Sequence, residues 1–123
     1  MERVLGIGGA FFRARDPRAL ARWYADNLGI DSGLEGGTVW CQAEGPTVFA
    51  PFPADTEYFG ESGQTWMLNF RVANLDAMLA QLRKAGAAID ERVEDQAGVG
   101  RFGWGSDPEG NRFELWEPVA DQD

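Results

Sequence analysis

The residues of this sequence that could do chemistry are few, and Glu114 leads them. It stands in the run Arg112-Phe113-Glu114-Leu115-Trp116, and the period-two alternation of a strand puts Arg112, Glu114 and Trp116 on one face. Arg13 and Arg71 could present two guanidinium forks to a carboxylate or phosphate, or pair with local acids. Cys41 would need an activating neighbour to be a nucleophile, and none is identifiable, so it reads as a structural thiol. The chain has no histidine and one lysine, Lys84. The commonest general base, the commonest metal ligand and most Schiff-base chemistry are therefore missing, and a Ser-His-Asp set is impossible. Gly6-Ile7-Gly8-Gly9 lacks the spacing of a dinucleotide or phosphate loop.

These residues must be positioned by elements, and the sequence writes the same elements twice. Gly9-Ala10-Phe11-Phe12-Arg13-Ala14-Arg15-Asp16 is answered by Met67-Leu68-Asn69-Phe70-Arg71-Val72-Ala73-Asn74, with Phe12 falling on Phe70, Arg13 on Arg71 and Leu20 on Met78. Each half opens with an apolar strand. Asp16 then caps a helix with Pro17 in its first turn, Leu20, Trp23, Tyr24 and Leu28 as its apolar stripe, and Gly29 as its stop. In the second half Asn74 is the cap, Leu75, Met78, Leu79 and Leu82 form the stripe, and Gly86 ends the helix after Arg83 and Lys84. Three strands follow each helix: residues 32–36, 38–43 and 47–52, then 88–94, 100–106 and 112–116. Asp107-Pro108-Glu109-Gly110 fits a type I turn and makes the last pair a hairpin. The fold class is α+β, two βαβββ modules (about 4–52 and 65–118) joined by a connector at 53–64, and two similar halves build one shared cleft.

At 123 residues and 44% hydrophobic, this is one compact domain with enough core to need neither disulfides nor a structural metal. A lone cysteine suits a reducing, cytoplasmic setting. The apolar stretch Val4 to Phe12 is a strand and not a secretory segment, since its second half has a counterpart in mid-chain. No run is long enough to span a bilayer. A formal charge of −9 argues against nucleic acid and against anionic membrane surfaces as partners.

Ala14-Arg15-Asp16-Pro17, Trp23-Tyr24, Leu28-Gly29 and above all Asp107-Pro108-Glu109-Gly110-Asn111-Arg112-Phe113-Glu114-Leu115 resemble the vicinal oxygen chelate superfamily, the glyoxalase, bleomycin resistance protein and extradiol dioxygenase group. The resemblance covers about residues 4 to 118. It implies paired βαβββ modules whose curved mixed sheets enclose a small-molecule cavity, in a homodimer. It also implies where a divalent metal would be held, and there the sequence departs from the pattern. The first-strand ligand position falls at Gly9, its repeat partner at Met67, and only the acidic position on the final strand, Glu114, is intact. The remaining position lies in residues 47–52, which hold no acid, histidine or cysteine. One carboxylate does not make a metal site, so no cofactor is expected, while water-rich or intersubunit metal coordination stays open.

On that reading Gly9, Phe11 and Arg13, then Met67, Asn69 and Arg71, then Arg112, Glu114 and Trp116 face the cavity, and Ala10, Phe12, Leu68, Phe70, Phe113 and Leu115 pack under the helices. Glu114 is either an acid or base whose pKa is raised by burial beside Trp116 and Met67, or one half of an ion pair with Arg112, Arg13 or Arg71. Among the many other aromatic residues, including Phe52, Tyr58, Phe102 and Trp104, most read as core or dimer interface, and Tyr58 reads as loop surface. The function expected is a small-molecule-binding protein with a degenerate metal site, its lining Phe11, Arg13, Met67, Asn69, Arg71, Arg112 and Trp116. The alternatives are a metal-dependent lyase, isomerase or dioxygenase using Glu114, and an inactive scaffold with a collapsed pocket.

Overall fold

A computed structural model describes residues 1–33, 39–61 and 63–120. The fold is α+β, with two helices and a curved, unclosed five-stranded sheet. Helix α1 (Pro17–Leu28) begins where Asp16 accepts from the Ala19 N–H at 3.2 Å, with Pro17 in the first turn, and stops at Gly29, whose φ of 71° is the left-handed value glycine tolerates best. Helix α2 (Leu75–Lys84) begins with Asn74 accepting from the Ala77 N–H at 3.0 Å. It ends in a Schellman turn, with the Ala87 N–H on the Leu82 carbonyl and the Gly86 N–H on that of Arg83.

The strands are β1 (Leu68–Arg71), β2 (Ala88–Ile89), β3 (Glu94–Gln96), β4 (Gly100–Ser106) and β5 (Arg112–Pro118). β1 runs parallel to β5, β4 is antiparallel to β5, and β2 and β3 both pair with β4. The second half is therefore the expected β-α-β-β-β unit, with its first expected post-helix strand split in two. Asp90 to Val93 interrupt it because the chain there serves other bonds: Asp90 turns to Arg112, and Val93 packs into the core.

The core lies on the sheet face covered by the helices. Leu75, Leu79 and Leu82 of α2 meet Phe113 and Leu115 of β5, all at most 2% exposed, and Trp23, Leu28, Phe70 and Ile89 pack around them. Full burial of each large apolar side chain contributes about 1.5–3 kcal/mol. Gly103 lets the helix approach closely, since a Cβ there would lie 3.2 Å from a Leu79 methyl. The Asp107 turn forms as expected, with the Gly110 N–H on the Asp107 carbonyl at 2.9 Å. The Asp107 side chain, 4% exposed, also takes the Tyr24 hydroxyl at 2.7 Å. Glu109 reaches back to the start of α1, accepting from the N–H groups of Arg15 and Asp16 at 2.6 and 3.0 Å. The helix of the first half is thereby fastened to the sheet of the second.

The first half differs from expectation in its strands. Among the described residues, 4–13 and 39–52 join no ladder, and the strand expected at 32–36 lies mostly outside the described residues. Phe12 is 51% exposed and Leu68 36%, so neither is the core residue that alternation suggested, and Ala10 is exposed as well. The reason is placement: α1 docks on the second-half sheet, and within the single chain the segments on either side of it meet no strand edge. Cys41 is exposed, not a buried structural thiol.

Candidate ligand-binding site

The face of the sheet away from the helices carries the polar and aromatic residues, and cross-strand register brings them together. Asn69 lies opposite Glu114, Trp104 opposite Glu114 from the other side, and Phe102 opposite Trp116. The smaller aromatic cluster is built from Phe102, Trp104 and Trp116, at 9%, 0% and 5% exposure, with Met67 and Tyr58 packed against it. Phe102 and Trp116 stack with an interplanar angle of 2° and 6.1 Å between centroids.

Glu114 is the centre of this face. It is 7% exposed, and its carboxylate accepts from Asn69 Nδ2 at 2.6 Å, from Trp104 Nε1 at 3.0 Å, and from the Tyr58 hydroxyl. A buried carboxylate needs donors in place of the water it has lost, and here three neutral groups supply them. None of the three expected arginine partners pairs with it: Arg112 is held by both carboxylate oxygens of Asp90 at 3.2 and 3.0 Å, Arg71 donates to the carbonyls of Ala43 and Glu44, and Arg13 lines a hollow beside Glu109. Arg112 Nε is buried without a hydrogen-bond partner.

Tyr58 is the correction of most consequence. It is half-buried and not free loop surface, standing between the Phe52 ring at 5.5 Å and the edge of Trp104 at 6.2 Å. Burial raises the pKa of its phenol, and the adjacent Glu114 carboxylate raises it further. The connector thus crosses the face as a strap. The aromatic floor is consequently covered by the chain's own residues, and the shallow hollows at the start of α1, lined by residues such as Arg13, Arg15, Glu109 and Asn111, do not include Glu114.

Of the residues singled out in the sequence, Met67, Asn69, Arg112, Glu114 and Trp116 converge here, and Arg71 lies at the margin. Gly9, Phe11 and Arg13 do not join them. Phe11 is 97% exposed with its ring folded back toward Gly9, and Arg13 lines the hollow beside Glu109. Sequence reasoning missed Tyr58 as a partner of Glu114, and it missed Arg92, whose guanidinium carbon lies 4.4 Å over the Trp104 ring. In the sequence Trp104 reads as a core or interface aromatic, although its alternation with Gly103 and Gly105 on β4 carries a signal for this face; Tyr58 and Arg92 sit outside regular strands and left no periodic signal.

The metal the superfamily holds does not fit these residues. No group of three or more His, Cys, Asp or Glu side chains is gathered among the described residues, and the one carboxylate at a ligand position is engaged by three hydrogen-bond donors.

With this geometry in view, the chain belongs to the Glyoxalase-like domain family, which matches residues 9–116, and so to the vicinal oxygen chelate superfamily. Among solved structures it is similar to TnmS3, an antibiotic binding protein from Streptomyces sp. CB03234, at 26% identity and a TM-score of 0.50, covering 85% of this chain and 88% of that one. It is also similar to a member of the glyoxalase/bleomycin resistance protein/dioxygenase superfamily from Sphaerobacter thermophilus DSM 20745, at 20% identity and a TM-score of 0.57, covering 93% and 98%. No curated protein matches the chain. No helix among the described residues is long and apolar enough to cross a membrane.

Proposed function

We propose that this protein binds a small organic molecule at the Glu114 face and does so without a metal. The observation that carries the reading is the state of the Glu114 carboxylate. Where the superfamily uses an acid to hold an ion, this one is turned inward on Tyr58, Asn69 and Trp104 and ties the strap to the aromatic face of the sheet. The aromatic and thioether surface around it, Met67, Phe102 and Trp116, suits an organic ligand, and similarity to an antibiotic binding protein supports the same class. Ligand entry requires the strap carrying Tyr58 to shift.

The active form on this reading is a cytoplasmic homodimer. Leu5, Phe11, Val39, Val48 and Phe49 are between 70% and 105% exposed, a concentration of apolar surface in the segments that lack strand partners. A second copy would cover them and wall the cleft. An exposed free Cys41 suits a reducing compartment.

The test is elemental analysis after incubation with Zn, Mn, Ni and Fe salts and desalting, beside the Glu114→Ala variant, followed by thermal-shift screening of organic molecules. The expected result is no stoichiometric metal in either protein and a rise in melting temperature with an aromatic ligand class. Near-stoichiometric metal that disappears in Glu114→Ala would restore the metal-dependent enzyme reading.

A further inference from the structure

Strand order leaves β1 with one open side, since β5 is its neighbour on the other. The Val72 N–H donates to the Trp116 carbonyl at 2.8 Å, so by alternation Asn69 and Arg71 turn their backbone N–H and C=O groups away from β5, toward that open side. Open edges are commonly guarded by proline, a bulge or a charge. Residues 68–71 contain no proline or glycine, and their one charge, Arg71, is committed to the carbonyls of Ala43 and Glu44. Trp66 and Leu68, at the start of this edge, are 77% and 36% exposed.

The sequence holds a strand candidate of the same length and pattern. Residues 10–13 are the repeat counterpart of β1, yet they join no ladder among the described residues, and Phe11 and Phe12 are 97% and 51% exposed. Within one chain Phe12 meets Tyr24, with 6.2 Å between ring centroids, and Tyr24 meets Phe70 at 6.3 Å, so contact from this segment to β1 passes through the Tyr24 ring. Charge favours an exchange between copies. Residues 1–22 hold five arginines against two acids, whereas the rest of the chain holds six basic residues against eighteen acidic ones. A basic arm and an acidic body are complementary across a two-fold axis.

We propose that the open edge of β1 is the docking surface for a second copy of this chain, which adds its residues 10–13 there as the next strand, each copy giving one arm and receiving one. Alternation then sets the partner's Phe12 beside Leu68 and Phe70 on the helix side and brings the partner's Phe11 and Arg13 to the side of Asn69, which one chain alone leaves without them. This rests on the homodimer of the reading above and specifies its edge and its occupant.

Sedimentation equilibrium on wild type, Arg71→Ala and Arg71→Pro tests the edge, with melting temperatures confirming that each variant is folded. Proline removes the N–H that faces the open side and leaves the bonds to β5, whereas alanine keeps both. Wild type and Arg71→Ala should return twice the chain mass and Arg71→Pro the single mass. The occupant is tested in a Cys41→Ser background by oxidising an equal mixture of Phe12→Cys and Leu68→Cys chains, which should give the mixed disulfide at least fivefold over either self-linked product. A dimer that persists in Arg71→Pro, or a mixed disulfide no more abundant than the self-linked products, would overturn this inference and leave the homodimer standing. A single mass for wild type would overturn both.

Discussion

The Tyr58 hydroxyl donates to the Glu114 carboxylate across 56 positions of sequence, tying the connector to the central strand of the sheet. Removing the hydroxyl in Tyr58→Phe leaves Glu114 two donors and frees the strap. Stability should fall by about 1 kcal/mol, read by urea unfolding, the modest size reflecting a partly solvated bond. Glu114→Ala strips the acceptor from three donors, including the buried Trp104 N–H, and should cost about 3 kcal/mol.

The Asp107 turn supplies a second prediction. Its carboxylate takes the Glu109 and Asn111 N–H groups at 2.8 and 3.1 Å as well as the Tyr24 hydroxyl and the Asn111 amide. Asp107→Ala should therefore destabilise by about 3 kcal/mol, against about 1 for Tyr24→Phe, which removes one bond and keeps the ring. A denaturation series of the two single variants and the double checks this; additivity of the losses would contradict a shared bond.

Alkaline pH should weaken the fold from pH 10 upward. Burial first, then the neighbouring carboxylates Asp107 and Glu114, raise the pKa values of Tyr24 and Tyr58 above the ordinary phenol value of about 10. The folded chain therefore keeps protons that the unfolded chain releases, so this stability is complete below pH 10 and declines above it. Unfolding free energies at pH 9 and 11 should differ less in Tyr24→Phe/Tyr58→Phe than in wild type. At the acid end, the Arg15 and Asp16 N–H groups hold the Glu109 pKa below its ordinary value. Its contribution is present above about pH 4.3 and is lost as pH falls through the lower folded value. Glu109→Gln should flatten that part of the acid profile.

The exposed apolar segments give a prediction about assembly. Phe49 is 79% exposed and Val48 70%. Sedimentation equilibrium should return twice the chain mass for wild type at micromolar concentration, and Phe49→Asp should lower it toward the single chain. A monomer in wild type would remove the homodimer from the proposed function.

What could be read from the sequence was whatever has a period or a cap. Asp16, Asn74, Gly29 and Gly86 bound their helices as their chemistry dictates, and the alternation in 112–116 placed Phe113 and Leu115 under α2 with Glu114 on the other side. The same alternation failed at Phe12 and Leu68, because a strand pattern guarantees burial only where a second layer arrives to cover it. Glu114's partners were invisible for another reason. Tyr58 reaches it from an aperiodic connector, and a lone tyrosine between Glu57 and Phe59 carries no local signal of its destination.

The fastening of α1 to the second-half sheet separates two boundaries that a duplicated sequence invites one to equate. The repeat divides at the connector, yet Tyr24, Trp23 and Glu109 join α1 to β5 and the turn before it. Amide protons of α1 and α2 should accordingly exchange with one common opening energy, while those of 39–52 exchange far sooner in the isolated chain. The repeated sequence pattern divides the chain into halves; cooperativity divides it between the helices with their sheet and the segments left outside.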